Sequence, residues 1–408
     1  MTFFEGLQEK KANFIWRIHE QFLNDTSNQK VDLTVGAYRD NNGKPYVFKA
    51  IKNAEHQILN DEKIFKEYTG PEGVPLFDEL AQKFLFGDCI SYREGRIATV
   101  QSIAGTGSLK LCADFLKANF YNKIKKVYIS DPTWIPHRII FEAAGFLVED
   151  YPYYSKETAT VMINEMIEKF YAADNNSLVI LHPCAHNPTG LDLTEFEWKQ
   201  IAQTIKEKNL MVLFDIAYQG FASGSTDEDA WPVRYFEKMG FEFLVTQSFS
   251  KNMGLYGERI GALHMVCNDT KTKDLVLQNI NHFVSLAYTA PPIHGGYIVK
   301  TVLENPEMTS SWKAELKTVA ERMKEMRHSF VRGMMAHGTP GNWDAVLEQK
   351  GMFSYLPLTE SQCYHLIQHW HIYLLPNGRI SIAGLNSTNI QYVIDAVDDT
   401  VRNVNSGS

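Results

Sequence analysis

The stretch SFSKNMGLYGERIGALHMV, residues 248–266, sets Lys251 at the end of one apolar run and Arg259 just before the next. The chain between Ser250 and Arg259 is shorter than the about a dozen residues that a parallel crossover needs, so the second run turns back antiparallel. That return brings Arg259 to the sheet edge where Lys251 sits. Upstream, from about residue 97, short β-forming runs alternate with helical patterns: IATVQSI then SLKLCADFLKANF, VYIS then HRIIFEAAG, SLVILH then TEFEWKQIAQTIKEK, followed by MVLFD and FLVTQSFS. This rhythm predicts an α/β domain on a mostly parallel sheet, with 248–266 supplying the reversal.

The 408 residues exceed the roughly 250–300 at which a single core stops growing, so two domains are expected. Hydrophobic residues make up 44% and charged ones 22%, and no apolar stretch reaches the ~18 residues of a membrane span. The opening MTFFEGLQEKK lacks the basic-then-apolar order of a signal peptide, so a cytoplasmic location is expected. Five cysteines without CxxC spacing argue against a disulfide framework and against a zinc cluster. A net charge of −8 argues against a nucleic-acid partner, and the basic run NKIKK at 122–126 reads as a solvated turn. From about Glu307 to Met335 the pattern is one long helix joining two domains, with Trp312, Leu316, Val319, Met323, Met326 and Phe330 on its buried face. The terminal NSGS reads as a frayed tail.

In such sheets the site gathers at the carboxyl ends of the strands. There the sequence puts Asp131 with Trp134, Asn187 in HPCAHNPTG, Asp215 with Tyr218 in FDIAY, and Ser250 with Lys251. Gly105-Thr106-Gly107 follows a strand and opens a helix, which suits an anion and equally suits a tight turn. His182 and His186 flank Cys184 in the manner of a metal site, but Pro183 blocks the helix that would pair them and no acidic ligand adjoins. Both histidines are therefore expected to pack or support, and no metal is expected. A buried Asp215 needs a cation or several donors, unless it merely caps a helix or pairs structurally. A lysine desolvated at a strand end has a lowered pKa and becomes a nucleophile. Together these groups offer a lysine for an imine, a carboxylate for a pyridinium nitrogen, phenol and amide donors for a ring oxygen, and an aromatic to stack. Ser, Arg and Gly remain for a phosphate, and the set fits pyridoxal phosphate.

With those motifs in view, the sequence resembles the class I aminotransferases of the aspartate aminotransferase family, from about Phe3 to Val401. SFSKNMGLYGERIG, HPCAHNPTG, FDIAYQGF and LPNGRISIAGL stand in the family's order. The resemblance implies a large domain (47–318) with a seven-stranded, mostly parallel sheet containing one antiparallel strand and flanked by helices. A smaller α+β domain (13–46 and 319–408) and an N-terminal arm (1–12) complete it. It implies a homodimer with shared active sites, acting on amino acids and 2-oxo acids, with no nucleic-acid or membrane partner. Residue by residue, Lys251 is the amine that takes the cofactor and moves the α-proton, Asp215 pairs with the pyridine nitrogen under support from His137, and Asn187 and Tyr218 bind the ring hydroxyl. Trp134 stacks on the ring. Gly105, Thr106, Ser248, Ser250 and Arg259 hold the phosphate, with Tyr68 reaching in from the second subunit. Arg379, near Gly36, takes the substrate's α-carboxylate.

One departure bears on the substrate. Aspartate-selective members read Arg-Pro-Met-Tyr-Ser-Asn-Pro-Pro where this chain has VSLAYTAPP, and aligning Tyr288 and Pro291-Pro292 puts Ser285 at the arginine that pairs with the distal carboxylate. Either another cation substitutes, His282 among them, or the pocket accepts uncharged and aromatic side chains, with Phe14, Trp16 and Tyr288 at hand. The expected function is therefore transamination of aspartate and 2-oxoglutarate, with an aromatic or broad-specificity aminotransferase as the alternative. A lyase on the same cofactor, or a non-catalytic module that binds it, is the remoter one.

Overall fold

The computed structural model describes residues 3–7 and 14–404. The NSGS tail and, within the expected arm, residues 1, 2 and 8–12 lie outside the described residues. Seven strands form the main sheet: Ile97–Ser102 (β1), Lys126–Asp131 (β2), Leu147–Pro152 (β3), Leu178–Leu181 (β4), Met211–Ile216 (β5), Phe243–Ser248 (β6) and Gly261–Val266 (β7). Their order across the sheet is β1-β7-β6-β5-β4-β2-β3. Strand β7 is antiparallel to both neighbours, with Gly261 facing Ser248 on one side and Ser102 on the other. All other pairings in this sheet are parallel.

The reversal read from residues 248–266 is thus present, and so are the six apolar runs. Strands β4 and β6 are buried at every residue because helices cover both faces of the sheet. Strand β3 escaped the reading of apolar runs: LVEDYP lies at the sheet's edge, and Tyr151 is its one fully buried residue. On one face the core is closed by the helices Ala104–Phe120 (α1) and Thr270–Tyr288 (α2), on the other by Glu195–Glu207 and Trp231–Lys238.

The long helix runs Pro306–Ala336 (α3) and buries Trp312, Leu316, Val319, Met323 and Phe330, with Met326 partly covered. It also buries Arg327, which a pattern of apolar residues does not reveal. Beyond it, Phe353–Tyr355 (β8) pairs antiparallel with Arg379–Ser381 (β9), and Val31–Asp32 pairs in parallel with Ile372–Tyr373.

Candidate active site

Asp215 stands near the end of β5 with both carboxylate oxygens engaged. Thr246 donates to Oδ1 and His137 Nε2 to Oδ2, each at 2.9 Å. Burial pushes an aspartate's pKa up, but the hydrogen bond and charge of His137 outweigh it and hold Asp215 below its ordinary value. His137 is oriented in turn by the Thr133 hydroxyl, 3.0 Å from Nδ1.

Lys251 follows β6. Desolvation lowers its amine to about 8, with Asp215 opposing the shift and the guanidiniums of Arg259 and Arg379 adding to it. Its Nζ lies 5.4 Å from the centre of the Tyr218 ring. The Tyr218 hydroxyl accepts a hydrogen bond from Asn187 Nδ2 at 3.4 Å, and burial raises the phenol's pKa.

The loop that turns β6 into β7 brings Arg259 back as expected. Its Nη1 reaches Ser250 Oγ at 3.3 Å and the Tyr256 carbonyl at 3.0 Å, from a left-handed backbone with φ of 53°. Ser248 Oγ accepts from the Ser250 amide at 3.2 Å. Across from them α1 begins at Ala104, so the amides of Gly105 and Thr106 are among those a helix leaves without internal partners. A Cβ on Gly105 would stand 3.5 Å from Ser248 Cβ and 3.8 Å from Asp215 Oδ1, so the smallest residue keeps this space open. A guanidinium, two hydroxyls and a helix N-terminus together make a seat for a phosphate.

Gly105, Thr106, Trp134, Asn187, Asp215, Tyr218, Ser248, Ser250, Lys251 and Arg259 all line one cavity. Ala104, Ala217 and His182 line it too, and the sequence did not single them out for it. His182 was expected to pack, and it is buried. Yet both its ring nitrogens lack a hydrogen-bond partner, and desolvation lowers its pKa to about 3. His186 does pack, between the hydroxyls of Ser130 and Thr189 at 2.9 and 2.8 Å. Ligand atoms of His137, His182 and Asp215 lie within 4.8 Å of one another, but His137 Nε2 and Asp215 already bind each other.

Arg379 is 3% exposed. It donates from Nη2 to the Thr34 carbonyl at 2.7 Å and from Nη1 to Asn187 Oδ1 at 3.4 Å, while Nε has no partner. Burial lowers its pKa to about 10, opposed by the Tyr218 phenol. Among the described residues no carboxylate pairs with it, and a buried guanidinium in that state can accept one. Gly36 lies beside it across the Phe353 ring, where a Cβ would come within 2.5 Å of Cζ.

Tyr68 and Ser285 stand apart. Tyr68 is 82% exposed, and Ser285 is exposed on α2 one turn beyond His282, itself exposed. Neither lines this chain's cavity, nor do Phe14, Trp16 or Tyr288.

Residues 28–397 match the family described as aminotransferase class I and II. The chain is 41% identical to the cytoplasmic aspartate aminotransferase of Caenorhabditis elegans over 408 residues, covering 100% of both. Among solved structures, the aspartate aminotransferase from the cytoplasm of Saccharomyces cerevisiae matches with a TM-score of 0.96 at 39% identity, covering 99% of each chain. The aromatic-amino-acid aminotransferase of Burkholderia pseudomallei, covalently bound to pyridoxal phosphate, matches at 0.95 with 36% identity, covering 98% of this chain and 100% of that one.

Proposed function

The chain belongs to the aminotransferase class I and II family, and from that premise we propose that it exchanges the amino group of L-aspartate with 2-oxoglutarate, using pyridoxal phosphate held at Lys251. The observation that carries the reading is Lys251: a desolvated amine titrating near 8, in one cavity with an ionised Asp215 and the Arg259 anion seat. The donor set fits the cofactor at every part. Asp215 would pair with the ring nitrogen, Asn187 and Tyr218 would bind the ring oxygen, Trp134 would cover the ring, and Gly105, Thr106, Ser248, Ser250 and Arg259 would hold the phosphate.

Bound there, pyridoxal phosphate supplies an electrophilic carbon and a ring that accepts the electron pair released when the substrate's Cα–H bond breaks. The protein does the rest. Arg379 grips the α-carboxylate through two parallel hydrogen bonds and turns Cα toward Lys251. With its pKa near 8, Nζ of Lys251 is neutral in a sizeable fraction of molecules at physiological pH, so it can take the α-proton and return it to a neighbouring carbon. Asp215, kept ionised by His137 and Thr246, would hold a proton on the ring nitrogen of the bound cofactor.

The proposal includes a homodimer in which Tyr68 of each chain completes the phosphate seat of the other and Ser285 faces the other's substrate side chain. It includes the division into an arm, a large domain and a small domain at the expected boundaries. A cytoplasmic setting rests on the name of the C. elegans relative; among the described residues no helix is long and apolar enough to cross a membrane.

Ser285 favours a second reading, an aromatic or broad-specificity aminotransferase, because a hydroxyl offers no bidentate partner to a distal carboxylate. The deciding experiment mixes loaded enzyme with aspartate or with tyrosine and follows the absorbance of the bound cofactor in single turnovers. A much faster reaction with aspartate supports the first reading. Tyrosine equal or faster replaces it with the second, and no change with any amino acid removes both.

A further inference from the structure

Phe353 and Arg379 lie diagonally on one face of the β8–β9 pair. Arg379 is opposite Tyr355, and Phe353 is two residues back along β8, opposite Ser381. Diagonal neighbours come within reach when one is aromatic and the other long. Here the guanidinium carbon of Arg379 stands 4.2 Å from the centre of the Phe353 ring. The ring is wedged on its other sides, by the missing Cβ of Gly36 and by the Tyr218 ring, which meets it edge-on with centres 5.9 Å apart.

Alternation along β8 turns Ser354 to the opposite face, toward α3. There Arg327, 3% exposed, donates from Nε to Ser354 Oγ at 3.0 Å and from Nη2 to the carbonyls of Gly351 and Phe353 at 2.7 and 3.2 Å. Burial lowers its pKa to about 10. Two of these bonds hold the strand that carries the ring, at Ser354 and Phe353, and the third holds the turn that leads into it.

We propose that Phe353 is a positioning residue for the substrate's α-carboxylate: its ring is the plate that fixes the plane of Arg379, and Arg327 fixes the plate from behind. The proposal rests on the reading of Arg379 as the partner of that carboxylate. A guanidinium forms two parallel bonds to a carboxylate only when their planes coincide. Hydrogen bonds to one carbonyl and one amide leave Arg379 free to tilt, whereas stacking removes the tilt. A desolvated contact between a cation and an aromatic ring is worth roughly a 5- to 30-fold change in affinity.

The test is calorimetric binding of 2-methylaspartate, which lacks an α-proton and so binds without turning over, to loaded enzyme carrying Phe353→Leu, Arg327→Met, both changes, or Arg379→Ala. All are compared at equal cofactor content. The expected result for Phe353→Leu is a roughly 5- to 30-fold weaker affinity, with KM for the amino acid rising by the same factor and kcat retained, because the contact is equal in ground and transition states. Arg327→Met weakens binding less, and the double variant binds no more weakly than Phe353→Leu alone, since Arg327 acts through Phe353. If Phe353→Leu does not fold, Phe353→Met replaces it, keeping bulk without a ring. The proposal is overturned if Arg379→Ala loses affinity while Phe353→Leu keeps it, or if kcat falls with KM unmoved. Additive losses in the double variant overturn the part given to Arg327. Unchanged binding to Arg379→Ala defeats the reading of Arg379 itself, and the proposal with it.

Discussion

A lysine amine that titrates near 8 instead of 10.5 is held against its own solvation. Between those two values the unfolded chain binds more protons than the native one, so native stability climbs with pH across that window. Below about 8 the destabilisation by Lys251 is complete, about 3 kcal/mol. Cofactor-free Lys251→Met should therefore be more stable than the parent at pH 7, by up to about 3 kcal/mol, with the gap closing toward pH 10.5. Urea unfolding at both pH values measures it, and equal stability at pH 7 would show that the amine is not desolvated. Ser285 invites the opposite kind of change: Ser285→Arg should raise kcat/KM for aspartate relative to tyrosine by roughly tenfold or more, a gain of ~1.4 kcal/mol or better from a new charge pair. An unmoved ratio means that residue 285 does not face the side chain. At this scale the sequence was legible wherever a polar residue interrupts a β-forming run, as Asp215 and Lys251 do. Phe353 was not, because a phenylalanine in FSY reads as ordinary core until its neighbours in space are known. His182 was placed correctly as buried, but the wall it forms depends on a loop path that spacing does not give.

The turn between β6 and β7 was the most legible element, since chain length alone forbids a crossover there. The edge strand β3 was the least, because one exposed side leaves it no apolar run. Between these extremes lies a contact that only the assembled elements show. Gly261 opens β7 directly under the start of α1, and a Cβ there would stand 2.5 Å from the Gln247 carbonyl oxygen and 2.8 Å from the Ala104 carbonyl carbon. Both obstacles are backbone, so neither can swing away. Gly261→Ala should lower stability by about 1–3 kcal/mol, as overpacking does. It should also lift the N-terminus of α1 from the phosphate seat and weaken cofactor affinity more than Thr106→Ala does. Urea midpoints and cofactor titration of the two variants check this; a fully stable Gly261→Ala protein with parental affinity contradicts it.

For the molecule as a whole, the exposure of Phe65 (69%), Tyr68 (82%) and Leu286 (71%) in a single chain is what a proposed interface with a second copy explains. Shared sites make a sharp prediction. A chain carrying Lys251→Ala and a chain carrying Tyr68→Ala should each be impaired alone, yet a hybrid dimer of the two should regain activity, because one of its sites pairs an intact Lys251 with an intact Tyr68. Unfolding the two chains together, refolding them and assaying the mixture against the separately refolded chains measures this. A mixture no better than the sum of its parts excludes sharing through Tyr68. The length of the long helix was legible at this scale from periodicity, but the pairing of copies leaves no period in a sequence and entered only through resemblance.

Lys251 has the guanidiniums of Arg259 and Arg379 and the carboxylate of Asp215 within electrostatic reach, and that grouping has a consequence for traffic. The protein as a whole carries a net charge of −8 and so repels the dianions it is proposed to process. Against that background these cations beside Asp215 make the buried site locally positive, and low-dielectric surroundings concentrate the field lines that guide an anion's approach. Encounter with a dicarboxylate is then steered, while collisions elsewhere on the surface are turned away. Dissolved salt shortens the reach of both fields, so the rate of productive arrival responds to salt more for a dicarboxylate than for an uncharged rival.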